Sequence, residues 1–519
     1  MEATVGEFLI GILPRLSSDT RMPSWPPDCF GLCLALLKRS GAYAHVLRDW
    51  PPSTVGGLGT WTSGVRELGI KWRSTWQTGR SFDELAAEWQ IVCHSFGVPL
   101  GETLDQGEIR NALIAIVAAA DEASEGVGGP RDQVAGEYDP ILDIGSDTLR
   151  AFGTLCLEID GSRLRVLPRM HTPQNGLTER SLSHYLSLCE ASEATPQWLS
   201  NSFLRSDSVN LLLIPWPLEV RASQFGETVD ATARLPKGFG FFTFTDDSAE
   251  NLTSRVEALH AEAKRKLGRI DGVVLPELSI TIEQFRGLRK GLPQECFLIA
   301  GVGGRGIDGR RGTNVVGLSF PPLSDVFQSK HHPWKLDESQ VVQYGLGGVL
   351  SPYREWWEHI DCSGRRLHFI SINENLVICA LICEDLARPD PVANIVRTVG
   401  PNLVVALLMD GPQTKERWAA RYATVLADDP GCSVLSLTSL GMAQLSRPQV
   451  GPDRSRLVAL WKDRFNGATE IELPPGNDAI AVSLSIRYRE EFTADGRGDG
   501  GSAAFPILSG VHPISAGKK

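Results

Sequence analysis

The chain has no surplus of positive charge. Its 51 lysines and arginines are outnumbered by 62 aspartates and glutamates, and the net charge of −11 argues against non-specific binding to nucleic acid or anionic membrane. It also lacks an apolar run near the roughly 18 residues that a membrane helix needs. The opening stretch from Met1 to Glu7 is acidic and has no basic region, so no signal peptide is expected. Cysteines are few for the length, ten in 519 residues, and several lie inside apolar runs. Reduced thiols in a cytoplasmic protein are expected, not a disulfide framework. Cys29 and Cys33 have no His or Cys pair nearby, so no metal is expected and helix-face packing is the reading. There is no repeat and no low-complexity tract.

The length suits two or three domains. Residues 1–205 read as a mostly helical accessory domain. Helices are expected around Cys29–Leu37 with Asp28 as N-cap, at Phe82–Phe96 and at Gly107–Ala120. Residues 126–130 form a breaker cluster. A β-hairpin is expected near 154–167 about Asp160 and Gly161, then a helix near Leu177–Cys189. From Val209 the pattern alternates strand and helix. Ser248–Leu267 reads as an amphipathic helix with a capping start at Asp247 and Glu250. Strands follow at Gly272–Leu275, Cys296–Val302, Asn314–Phe320, Leu367–Ile372 and Leu376–Ile382, with more apolar strand segments beyond Leu403. This is an α/β pattern over 206–495. The Gly-rich residues 496–519 read as a flexible tail.

Three strand ends carry chemistry. The first is Leu275-Pro276-Glu277, where an apolar run ends on a carboxylate. The second is Lys330-His331-His332. The third is Ile382-Cys383-Glu384-Asp385-Leu386, where a buried strand ends on a thiol. A strand that fixes the Cα and a turn that exposes the sulfur present a nucleophile well. Taken singly, each motif is as readily a solvated strand end or a core thiol. Cys379 reads as core, since residues four apart on a strand lie about 13 Å apart. Lys335 stays open as an alternative to Lys330. Gly301–Gly306 lacks the helix and lysine of a phosphate loop and reads as a strand-end turn.

Together these motifs resemble the nitrilase, or carbon–nitrogen hydrolase, superfamily. The order is Glu, Lys, Cys, with a spacing of 53 positions from the first to the second and 53 from the second to the third. The second interval is long and leaves room for an inserted loop around 344–364. Gly301–Gly304 and Asn314 match further family features. The resemblance implies a nitrilase-like αββα sandwich with an added mostly helical N-terminal domain. It implies Glu277 as general base, Lys330 as the cation at the developing charge and Cys383 as nucleophile. It also implies the N–H of Glu384 as an oxyanion donor and Glu338 as a second, positioning glutamate. Asp410, Met409 and Trp356 are candidates for the substrate pocket. Cys-Glu-Asp-Leu is similar to the glutaminase motif of NAD synthetases, but the Ser-Gly-Gly-x-Asp-Ser signature of their other half is absent.

The function so implied is hydrolysis of an amide-type C–N bond through a thioester. The expected partner is a small-molecule amide-type substrate, with no organic cofactor, no nucleic acid and no membrane. A homo-oligomer is expected. The alternatives are acyl or ammonia transfer with a partner enzyme, or a gated or degenerate effector or sensor, as in bacterial defence, regulated by the N-terminal domain.

Overall fold

The computed structural model describes the chain except residues 1–2, 105, 129–138, 173–175, 201–205, 231, 247–250, 305, 307–310, 374–375, 448–453 and 517–519. The expected boundary at 205, the end of the 126–130 cluster and the capping start at Asp247 and Glu250 lie outside the described residues. The chain divides into two compact units. Unit 1 holds Met1–Ser202 with Asn394–Pro401 and Tyr488–Ala504, and unit 2 holds Phe203–Ala393, Asn402–Arg487 and Phe505–Lys519. The expected division into consecutive segments is corrected accordingly.

Unit 1 is mostly helical. Helices Pro26–Ser40, Leu58–Gln77 and Ala86–His94 all pack on the central helix Gly107–Ala123. Close approach is built in: a Cβ on Gly69 would lie 2.5 Å from Cβ of Glu122. Three local expectations are corrected. Asp28 lies inside its helix, whose N-cap is Trp25, and its carboxylate accepts the backbone N–H groups of Leu157, Glu158 and Ile159. Thr154–Glu158 is not a strand. Instead Leu164–Pro168 pairs antiparallel with Leu186–Glu190, inside the segment expected to be helical.

Unit 2 is built on two large sheets. One runs in the order Val326–Ser329, Thr313–Ser319, Phe297–Gly304, Gly272–Ile280, Ser208–Leu213, Ala479–Arg489, Ala503–Ile514. The other holds Thr469–Glu472, Leu457–Lys462, Ser433–Thr438, Leu403–Leu408, Leu376–Ile382 and Arg366–Asn373 in that order. The strand Gly272–Ile280 packs against Leu403–Leu408 and Ser433–Thr438 of the second sheet. Helices Leu252–Leu267 and Ile282–Gly291 bury Val256, Leu259, Phe285 and Leu288 against alternate residues of the first sheet, among them Leu212, Val273 and Leu275. That alternation is the period-two signature of a pleated strand. Leu376–Ile382 is buried at every position and runs parallel to Leu403–Leu408, as a strand covered on both faces does. Asn251 caps the helix Leu252–Leu267.

A third, four-stranded sheet takes the order Lys335–Leu336, Glu355–Glu358, Phe239–Phe244, Phe225–Thr228. Part of it comes from the segment expected to be an inserted loop. Its core gathers Phe225, Phe242, Trp334, Tyr344, Trp356 and Met409. The expected flexible tail is also corrected. Arg497 is fully buried, and Ala503–Ile514 is a strand at the sheet edge beside Ala479–Arg489.

Candidate active site

The strand Gly272–Ile280 does not pair evenly with Phe297–Gly304. Leu275 faces Ala300, yet Ile280 faces Val302, so Pro276–Ser279 bulge out of the ladder. Glu277 sits on that bulge, and the hydroxyl of Ser279 pins it by donating to the carbonyl of Gly301 at 3.1 Å. Position 301 has to be glycine, because a Cβ there would lie 2.2 Å from the carbonyl oxygen of Pro276. The next residue, Leu278, has φ of 52°.

Cys383 ends the strand Leu376–Ile382 with φ of 53° and ψ of −106°. Among the described residues, Leu278 and Cys383 are the two non-glycine positions with positive φ. Such a conformation costs about 1–3 kcal/mol and persists only where the surroundings impose it. The ladder bond from the N–H of Cys383 to the carbonyl of Leu407 imposes it on one side, at 2.9 Å. The bond from the N–H of Leu386 to the carbonyl of Cys383 imposes it on the other, also at 2.9 Å.

Lys330 follows the strand Val326–Ser329, and its ammonium lies between two carboxylates. Nζ is 2.8 Å from Oε1 of Glu277 and 2.7 Å from Oε2 of Glu358. Asn314 bridges the same pair, its Nδ2 donating to Glu277 at 2.8 Å and to Glu358 at 2.7 Å. The N–H of Trp334 donates to Glu358 at 2.9 Å. Glu277, Lys330 and Cys383 are exposed by only 3%, 1% and 3%, which places the whole charge set in a medium that magnifies it. Oε2 of Glu277 is buried and has no hydrogen-bond partner among the described residues.

The electrostatics follow from that packing. Burial pushes the carboxyl of Glu277 above its ordinary range; Lys330 opposes this and Glu358 adds to it. Burial works against the charge on Lys330, but Glu277 and Glu358 more than reverse it, so the ammonium holds its proton. Burial also raises the Cys383 thiol, with Glu277 adding and Lys330 opposing. The resting site therefore combines a neutral thiol, a lysine cation and a carboxylate of raised basicity.

Several expected residues stand elsewhere. Glu338 is exposed at the start of the short helix Glu338–Gln343, and the glutamate that meets Lys330 is Glu358. Nothing local marks Glu358, since it lies 28 residues from Lys330 in the segment read as a loop. Lys335 pairs with Glu355 at 2.9 Å and is 39% exposed, which removes it as the site lysine. Asp410 is engaged on both oxygens: Tyr344 and Arg417 donate to Oδ1 at 2.6 and 2.5 Å, and Trp418 to Oδ2 at 2.9 Å. Trp356 is buried in the third sheet, its indole N–H on the carbonyl of Ser351 at 2.9 Å. Met409 lines a cleft together with Leu278, Trp334, Glu358 and His359. Glu384 pairs with Arg388 at 2.6 Å. Among the described residues, no group of three or more His, Cys, Asp or Glu is arranged to hold a metal, and no helix is long and apolar enough to cross a membrane.

No protein-family model and no curated protein matches the sequence. Solved structures similar to the chain include three of interest. One is the glutamine-dependent NAD+ synthetase of Acinetobacter baumannii, at 10% identity over 53% of this chain and 45% of that one, with TM-score 0.33. Another is Nit3 of Saccharomyces cerevisiae, a member of branch 10 of the nitrilase superfamily, at 13% identity over 55% and 92%, TM-score 0.34. The third is the Nesterenkonia AN1 amidase of the nitrilase superfamily, at 12% identity over 53% and 90%, TM-score 0.33. The chain thus spans less than half the length of the synthetase. At such scores the likeness carries no argument by itself, and the functional reading rests on the residues.

Proposed function

We propose that unit 2 is a carbon–nitrogen hydrolase of the nitrilase type, an αββα sandwich that cleaves an amide-type bond through a thioester on Cys383. One observation carries the reading. A fully buried lysine is shared by two glutamates and interacts electrostatically with a cysteine held at positive φ, and one of those glutamates keeps an oxygen without a partner among the described residues.

The roles follow from the chemistry of each group. Glu277 takes the proton of Cys383 as the sulfur attacks the carbonyl carbon. The charge that develops on the carbonyl oxygen faces the ammonium of Lys330 and the N–H of Glu384. Glu277 then passes its proton to the leaving nitrogen, and the C–N bond breaks to release the amine or ammonia. A water, deprotonated by Glu277, attacks the thioester and frees the acid and the thiol. Glu358 and Asn314 hold Lys330 and Glu277 in register. The cleft at Glu358 and Met409 is walled largely by apolar groups such as Phe242, Phe244 and Ile360, which suits a compact apolar substituent.

The test is ammonia release from a panel of simple amides, glutamine, carbamoyl compounds and nitriles, with wild type and Cys383→Ala side by side. Release by wild type that vanishes in the variant supports the reading. No release from any compound, or release that survives the substitution, overturns it.

A further inference from the structure

One carboxylate ties the nucleophile turn to the lysine loop. Asp385, two residues past Cys383, is fully buried. Its Oδ1 accepts the backbone N–H groups of His331 and His332, both at 3.0 Å. Oδ2 lies 3.1 Å from the N–H of His331 and 3.3 Å from Nδ1 of its ring. Nδ1 of His332 is 2.8 Å from Oδ1. The other face of the His332 ring continues the link, with Nε2 3.0 Å from the carbonyl oxygen of Asp390. The carboxyl of Asp385 is held below its ordinary range: burial opposes this, and the bonds from His331 and His332 prevail.

Neither Asp385 nor His332 hydrogen-bonds Glu277, Lys330 or Cys383 among the described contacts. Their influence runs through the backbone. His331 directly follows Lys330, and Asp385 is anchored to the strained turn that carries the sulfur. Fixing those two amides therefore fixes where the lysine chain starts relative to the thiol. We propose that Asp385 is a positioning residue that, with His332 as its strut, sets Lys330 at its working distance from Cys383. The proposal draws its meaning from the hydrolase reading, but its test does not depend on turnover.

The test uses the full chain and the variant Asp385→Asn, which keeps the shape and one acceptor oxygen while turning an NH2 group towards a backbone donor. The readout is the pH profile of Cys383 alkylation by iodoacetamide, followed at the peptide level, with Cys383→Ala as the blank. A displaced lysine favours the thiolate less, so the midpoint is expected to rise by about one pH unit. On any amide that wild type turns over, kcat is expected to fall about 100-fold with KM within about twofold. His332→Gln leaves the carboxylate on its two amides and removes the strut, and is expected to raise the midpoint by roughly half as much. Midpoints unchanged in both variants overturn the proposal. If Asp385→Asn does not fold, an unmoved midpoint in His332→Gln overturns it alone. A raised midpoint in a chain without turnover keeps the positioning role and sinks the hydrolase; turnover with an unmoved midpoint does the reverse.

Discussion

Among the described residues each unit buries a cation among carboxylates, and the two clusters are finished differently. In unit 1 Arg497 is fully buried. It donates to Asp495 at 2.9 Å, to Asp121 at 2.9 Å, to Glu122 at 2.8 Å and to the carbonyl of Leu182 at 2.6 Å. Asp121 in turn accepts the N–H groups of His184, Tyr185 and Leu186, and Trp61 donates to Asp495. In unit 2 Lys330 is as deeply buried, yet among the described residues Oε2 of its partner Glu277 has no hydrogen-bond partner, and Leu278 and Cys383 hold positive φ. The first network has its donors placed on acceptors and holds parts of one unit together. The second leaves an acceptor idle and holds backbone energy in reserve. A buried ion cluster by itself is weak evidence of function; unused valence and local strain are what separate a site from a brace.

The largest expected effect falls on the brace. Arg497→Met leaves three carboxylates in an apolar interior without their cation, and unfolding in urea is expected to show a loss of about 3–5 kcal/mol. A loss below about 1 kcal/mol, the range of an exposed pair, would break the comparison from the unit 1 side. Next comes Lys330→Met. The two glutamates it leaves can share a proton, so the damage is expected chiefly in turnover, down about 100- to 1,000-fold as for a lost oxyanion donor. Turnover within threefold of wild type would move Lys330 out of the chemistry.

The third effect is on pH. In the proposed mechanism Glu277 has to be ionised to take the thiol proton, and its pKa is raised by burial with Glu358 adding. Activity is therefore expected to fall, as pH drops, already above the ordinary carboxylate range. Glu358→Gln removes a negative neighbour, so the acid limb of kcat/KM is expected to move down by about one pH unit. An acid limb that stays in place or moves up would show that Glu358 does not act on Glu277 by its charge.

The comparison also explains what was legible in the sequence. Cys383 and Lys330 each follow a strand and Glu277 follows the apolar run Val273–Leu275, so short-range patterning marks them, and the structure places Glu277 on Lys330 inside a bulged strand. Glu358 was missed because its strand Glu355–Glu358 is short and pairs with Phe239–Phe244, more than a hundred residues back. The resemblance points to Glu338, eight residues after Lys330, but a spacing along the chain says nothing about an ion pair made across a sheet. Arg497 was missed for the same reason: Asp121 lies 376 residues away. A Gly-rich stretch around a lone arginine reads as a tail, since composition reports local stiffness and not distant partners. Asp385 was visible as a letter of a motif, but its bonds to His331 and His332 belong to the tertiary fold.

The smallest expected effect isolates the strain itself. A side chain at positive φ is disfavoured by contact of its Cβ with the backbone, whereas glycine accepts that conformation freely. Elsewhere the exchange of alanine for glycine costs about 0.5–1 kcal/mol through the entropy of the unfolded chain. At Cys383, with φ of 53°, the sign is expected to invert. Cys383→Gly and Cys383→Ala both remove the sulfur, so the difference between them reports the backbone alone. Urea unfolding is expected to find the glycine variant more stable than the alanine variant by about 1 kcal/mol. The same pair at Cys379, inside the relaxed strand Leu376–Ile382, is expected to run the other way. Equal stabilities at both positions would mean that the turn at Cys383 holds no reserve, and the distinction between the two ion clusters would then rest on the idle oxygen of Glu277 alone.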